Sequence, residues 1–147
     1  MKKIYSLLIA LLCSATMAFA YEAQIDGIYY DLDYENKTAT VTNGGDYNHY
    51  SGDIIIPEKV TYYGEEYTVT SIGSSAFSGC SSLTSITIPN SLTLIWNSAF
   101  YGCLSLTSID VETNNQNYAS IDGVLYNKEI TTLICCPGGK TSITIPN

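Results

Sequence analysis

The fifteen residues Ile72-Gly73-Ser74-Ser75-Ala76-Phe77-Ser78-Gly79-Cys80-Ser81-Ser82-Leu83-Thr84-Ser85-Ile86 return 23 residues later as Ile95 to Ile109, with eleven positions identical. A unit this short cannot bury its own apolar side chains, so each copy needs a stacked neighbour. The repeat therefore predicts a β-rich solenoid of about 23 residues per coil. It also moves the search for function from an enclosed pocket to a repetitive surface.

Each unit divides into two halves. Leu83-x-x-Ile86-x-Ile88 and Leu106-x-x-Ile109-x-Val111 end in the alternation of a half-buried strand, leaving Ser85 and Thr87, or Ser108 and Asp110, facing outward. In the other half Ile72, Ala76 and Cys80 lie four apart with Phe77 beside Ala76, the spacing of a short helical or 3-10 turn. Gly79-Cys80 and Gly102-Cys103 then allow the chain to turn back into the strand.

Departures from the 23-residue spacing point to insertions. Ile88 follows Ile56 by 32 residues, and the excess matches a hairpin from Val60 to Thr70 around Tyr63-Gly64-Glu65-Glu66. Ile145 follows Val111 by 34 residues, and the excess matches a hairpin within Asp122 to Ile134, turning at Asn127-Lys128. Ile54-Ile55-Ile56 reads as a short buried strand stopped by Pro57. Upstream, Ile25 to Asp33 and Lys37 to Asn43 form a hairpin about Tyr34-Glu35-Asn36. The heptapeptide Thr84 to Asn90 recurs unchanged as Thr141 to Asn147, so the array is expected to be an N-terminal piece of a longer one or a truncated reading frame.

Residues 1–20 read as an export signal: Lys2 and Lys3, an apolar stretch from Ile4 to Met17, then small residues at Ala18 and Ala20. The apolar stretch is too short and too interrupted for a membrane span, and bulky Leu12 before Cys13 argues against a lipidation site. The expected organisation is a signal peptide at 1–20, an N-terminal β-hairpin cap at 21–52 and the repeat array at 53–147. Removing the signal from the 147 residues leaves 127, enough for one domain. Four lysines then face fourteen carboxylates, a net charge of −10, and arginine is absent throughout. Nucleic acid and anionic membrane surfaces are accordingly poor partners.

The motif Ile-Gly-x-x-Ala-Phe-x-x-Cys-x-x-Leu-x-x-Ile-x-Ile-Pro at Ile72 to Pro89 resembles the repeat of BspA-type leucine-rich repeat proteins. Asp122-Gly123-Val124-Leu125-Tyr126-Asn127-Lys128, with Cys136-Pro137-Gly138-Gly139-Lys140, is similar to that family's hairpin-bearing repeat. The likeness covers roughly residues 53 to 147. Two positions depart from it: Trp96 stands where Gly73 stands, and Glu112 where Pro89 stands. The resemblance implies an exported or surface-anchored bacterial protein, with adhesion to host proteins, other cells or bacteria as the expected activity.

Chemistry finds little support in the residues. His49 is the single histidine and reads as a solvated loop residue; a triad would ask one imidazole to fill every role. Asp31 and Asp33, two apart on a strand, suggest a solvated face more than a glycosidase pair. Asp31-x-Asp33-x-Glu35 begins like a calcium loop, but Asn36 and Thr42 occupy the positions that need glycine and glutamate. No metal or cofactor is expected. Cys80 and Cys103 share one slot of successive repeats and read as a buried thiol column, with a disulfide across adjacent coils as the alternative, while Cys135 and Cys136 should point oppositely.

Two features could serve recognition. Nine of the twelve tyrosines beyond residue 20 fall in residues 21 to 67, where they either cap the solenoid's end or form a contact surface. Thr84, Ser85, Thr87, Thr107, Ser108 and Asp110 make the candidate binding face, a ladder of small polar groups on stacked strands. Hydroxyl-bearing β-branched residues also suit exposed strands without any ligand. The expected function is a non-catalytic module binding an extracellular protein or glycan. The alternatives are a structural spacer in a longer surface protein and, more remotely, an accessory to a carbohydrate-active enzyme. Oligomeric state is left open.

Overall fold

The computed structural model describes residues 21–45 and 50–146. The expected export signal at 1–20, His49 and Asn147 lie outside that range. Three tight turns set the hairpins. At Asp26-Gly27, Tyr63-Gly64 and Asp122-Gly123 both residues have positive φ, between 48° and 84°. That is the type I′ turn, whose twist matches paired strands and whose second position favours glycine.

The first turn splits what the sequence suggested was one strand. β1 (Tyr21–Ile25), β2 (Ile28–Asp33) and β3 (Thr38–Thr42) form an antiparallel meander of three strands where two were expected. Asp33 accepts the backbone N–H groups of Glu35 and Asn36, both at 2.9 Å, and so fixes the β2–β3 turn. Ile28, Tyr30 and Leu32 alternate inward from β2, and Ala39 and Val41 from β3.

β4 (Gly52–Ile55) is followed by the expected hairpin, β5 (Lys59–Tyr62) and β6 (Glu65–Ile72). Then come β7 (Leu83–Ile88), the two-residue β8 (Leu94–Ile95) and β9 (Ser108–Val111). Two parallel ladders stack these elements as coils. On one side β7 lies between β4 and β9, with Ile54 opposite Ile86 and Ile86 opposite Ile109. On the other β6 lies between β3 and β8, with Val41 opposite Ile72 and Ile72 opposite Ile95. Ile72, Leu83, Ile86, Ile88, Leu92, Leu106 and Ile109 are sealed between the ladders with no exposure.

The helical expectation for residues 72–80 is not met. Ser75 (φ 57°) and Gly79 (φ 73°) leave the right-handed region, and Ser98 (φ 60°) and Gly102 (φ 74°) repeat the shape one coil later. The N–H groups of Ser75, Phe77 and Gly79 donate to the carbonyls of Asn97, Ala99 and Tyr101 at 3.4, 2.9 and 2.7 Å. Alternate backbone donors thus pair between coils, and a helix would have turned them all along its own axis. Phe77 is fully buried and stacks on Phe100, with centroids 5.8 Å apart and planes 9° off parallel. Phe100 itself is only half-buried.

The insertion after β9 is also rearranged. β10 (Tyr118–Ile121), β11 (Val124–Asn127) and β12 (Leu133–Cys135) form a separate antiparallel sheet. Its first turn is Asp122-Gly123, and the β11–β12 connection occupies residues 128–132, beyond the expected Asn127-Lys128 turn. Asn127 Oδ1 accepts from Thr131 and Thr132 N–H at 2.9 and 2.8 Å, which organises that loop. Ile54-Ile55-Ile56 is not uniformly buried either: Ile56 is sealed, whereas Ile55 is 71 % exposed. In the second copy of the heptapeptide the described residues 141–146 form no strand, and Ile143 and Ile145 stand exposed.

Candidate binding surface

The outer face of β4-β7-β9 is set by register. Asp53, Ser85 and Ser108 stand side by side, as do Ile55, Thr87 and Asp110. Four of the six sequence-designated residues therefore share one face. Thr84 and Thr107 lie at the strand entrances, where Thr107 spends its N–H and hydroxyl on the Thr84 carbonyl at 2.9 and 3.2 Å. Asp53 and Ile55 were missed, although the 32-residue offset between Ile56 and Ile88 also sets Asp53 opposite Ser85.

Asp53 organises the face. Its Oδ1 accepts the hydroxyls of Thr84 and Ser85, each at 2.7 Å. The bonds from Ser85 and then Thr84 favour the charged form and lower its pKa below the ordinary carboxylate value. In the next coil Ser108 donates to Asp110 Oδ2 at 2.8 Å. The result is an exposed isoleucine on the outer strand β4, with Asp53 two residues before it on that strand and Asp110 two strands away beyond Thr87, each carboxylate holding a neighbouring hydroxyl.

A turn braces one side of this face. Ile109 N–H donates to Gly123 O at 2.8 Å, and the Asp122-Gly123 turn sits against Ser108. A Cβ on Gly123 would come within 2.8 Å of Ser108 Cα and closer still to its hydroxyl, at a φ of 71°. Gly123→Ala is expected to cost about 2 kcal/mol from backbone strain and overpacking together. Chemical denaturation checks this; an unchanged midpoint would mean the turn does not bear on β9.

The other candidate groups have structural duties or no visible one. Asp31 sits opposite Glu22 across β1–β2; burial first, and Glu22 second, raise its pKa. The Asp33 carboxyl is held low by its bonds to Asn36. Among the described residues no group of three or more His, Cys, Asp or Glu is placed to hold a metal. All four described cysteines are free thiols, with Cys80 and Cys103 buried. Cys103 donates to Phe77 O at 3.0 Å, and burial pushes its pKa up to about 11. Cys135 ends β12 and is half-buried, while Cys136 lies just beyond the strand and is exposed, so the expected opposition of two strand neighbours does not apply.

A model of the BspA type leucine rich repeat region, in six copies, matches residues 59–144. The chain belongs to this family. Three solved structures resemble it. A leucine rich cell surface protein from Faecalibacterium prausnitzii A2-165 is 32 % identical with a TM-score of 0.53, over 65 % of this chain and 24 % of that one. A leucine-rich repeat protein from Bacteroides ovatus ATCC 8483 is 33 % identical with a TM-score of 0.53, over 65 % and 25 %. One from Bacteroides capillosus ATCC 29799 is 29 % identical with a TM-score of 0.51, over 62 % and 65 %. The chain thus spans about a quarter of the length of the first two. No curated protein matches it.

Proposed function

We propose that this BspA-type repeat protein is an exported, non-catalytic surface module that binds an extracellular protein through the outer face of β4-β7-β9. The observation that carries this reading is the pairing of the columns Asp53–Ser85–Ser108 and Ile55–Thr87–Asp110. They combine a 71 % exposed Ile55 with fixed carboxylates at Asp53 and Asp110. An exposed apolar side chain bordered by anchored polar groups suits a protein contact. Export rests on the signal-like residues 1–20 and on the cell surface protein among the similar structures. Residues 21–52 serve as a cap, with the buried Tyr30, Leu32, Ala39 and Val41 covering the first coil of the repeat array at 53–147.

The test compares wild type with Ile55→Asp and with Asp53→Ala combined with Asp110→Ala, by surface plasmon resonance over immobilised matrix proteins and whole bacterial cells. For any surface that wild type binds, both variants should lose at least about tenfold in affinity, as expected where a few residues carry most of the binding energy, with unchanged melting. Equal binding by folded variants would remove the face assignment. Binding by none of the three proteins would favour the spacer reading, which also draws on the chain spanning only about a quarter of two similar structures.

A further inference from the structure

The tyrosines clustered near the N-terminus divide by burial. Tyr30, Tyr50 and Tyr67 are sealed in the core and serve the cap, whereas Tyr63 is 90 % exposed at the tip of the β5–β6 hairpin. That position does not suit it. The type I′ turns of the described residues all need positive φ at their first residue, which Asn and Asp tolerate best. Asp26-Gly27 and Asp122-Gly123 use aspartate, whereas Tyr63-Gly64 places a bulky ring there at a φ of 48°. The strained residue gains almost no burial in return. A side chain held at local cost without packing to offset it points to a use outside the fold.

Tyr62 and Tyr63 form an aromatic corner, with ring centroids 4.5 Å apart and planes at 75°. Two ion pairs flank the turn, Lys37–Glu65 at 3.2 Å and Lys59–Glu66 at 2.6 Å. The tip is thus locally neutral on a chain whose net charge is −8. We infer that this corner stacks a pyranose ring of a neutral glycan, with the sugar's axial C–H groups set against the exposed face of Tyr63. Those hydrogens are partly positive, and the face of an aromatic ring is negative. Glu65 and Glu66 follow the turn directly, and their paired charges can accept from and donate to sugar hydroxyls. Area selects the occupant. A stable protein partner asks for about 800 Å² on each side, which a two-residue turn does not supply, whereas one sugar ring matches one side chain. Charge selects among glycans, since an acidic polymer would meet the field of the whole chain. The corner belongs to the sheet that holds β5 and β6 and is independent of the β4-β7-β9 face.

The probe is cellohexaose, an uncharged β-linked glucose oligomer, titrated into the protein and followed by amide resonances. The resonances of Tyr62 to Glu65 should move saturably, with Kd on the order of 1 mM, as one stacked ring allows. Hexagalacturonic acid, which carries a carboxylate on every ring, should bind at least about tenfold more weakly. Tyr63→Phe should bind as wild type does, because the ring is kept. Tyr63→Asn should bind at least about tenfold more weakly, while its melting temperature stays level or rises by about 2 °C, since Asn suits the turn. That split separates a ligand contact from a structural tyrosine, whose loss would lower the melting temperature. Absence of saturable shifts, shifts confined to β4, β7 and β9, or equal binding by Tyr63→Asn or of hexagalacturonic acid would each overturn the assignment. A lower melting temperature for Tyr63→Asn would do the same.

Discussion

Phe77→Ala is expected to destabilise the protein by about 3–5 kcal/mol, the usual cost of deleting a buried aromatic ring. Phe77 is fully buried between Phe100, stacked at 5.8 Å, and Tyr50, tilted at 4.9 Å. Its N–H and carbonyl hold Ala99 and Cys103 of the following coil. The cavity would therefore open where three segments of chain meet, the Phe77 and Phe100 segments tied by backbone bonds and Tyr50 by its hydroxyl, all of which resist collapse. Against a typical total of roughly 5–15 kcal/mol, such a loss should lower the melting temperature by on the order of 10 °C. Phe100→Ala should cost about 1–2 kcal/mol, because that ring is half-exposed and less area returns to water. Thermal melts followed by circular dichroism separate the two; equal shifts would mean that the coils do not share the interior described above.

The sequence made the stacking legible because identical side chains recur at one interval. Ile72 and Ile95, and Ile86 and Ile109, fall opposite each other as that interval requires. What it concealed was decided by neighbours along and across the chain. Thr84 to Asn90 and Thr141 to Asn147 have one sequence, yet Leu83–Ile88 lies between two partner strands and forms a strand, while the described residues 141–146 form none. The four-residue spacing of Ile72, Ala76 and Cys80 resembled a helical turn because a compact reversal with residues at positive φ also brings every fourth side chain inward. On the candidate face, Ser85 and Asp110 followed from alternation alone. Asp53 and Ile55 required the partner strand, which sits across an irregular offset. Asp26-Gly27 carries the residue types of a type I′ turn, but the longer apolar pattern around it reads as one continuous strand.

Asn115→Asp should produce the other large effect, and one that depends on pH. Asn115 has no solvent exposure and uses both ends of its amide. Nδ2 donates to the carbonyls of Pro89 and Leu92 at 2.8 and 3.0 Å, while Oδ1 accepts from Asn117 and Tyr118 N–H, both at 2.8 Å. This one side chain ties the turn after β7 to the start of β10. Aspartate keeps the acceptor and turns the donor into a second oxygen facing two carbonyls. Each abandoned buried acceptor costs about 1–3 kcal/mol, and an ionised carboxylate there adds its own desolvation. The penalty at neutral pH should be about 4 kcal/mol or more. Burial and the two carbonyls both favour the protonated acid, so the folded pKa lies above the unfolded value of about 3.9. The unfolded state then releases the proton first as pH rises, and the variant loses stability from about pH 4 up to the folded pKa. Its melting deficit relative to wild type should therefore be smaller at about pH 4 than at about pH 7. Asn115→Ala, which cannot ionise, should show a deficit that stays nearly constant over the same range. A pH-independent deficit in the aspartate variant would show that residue 115 is reached by water and that its four bonds do not form a sealed link.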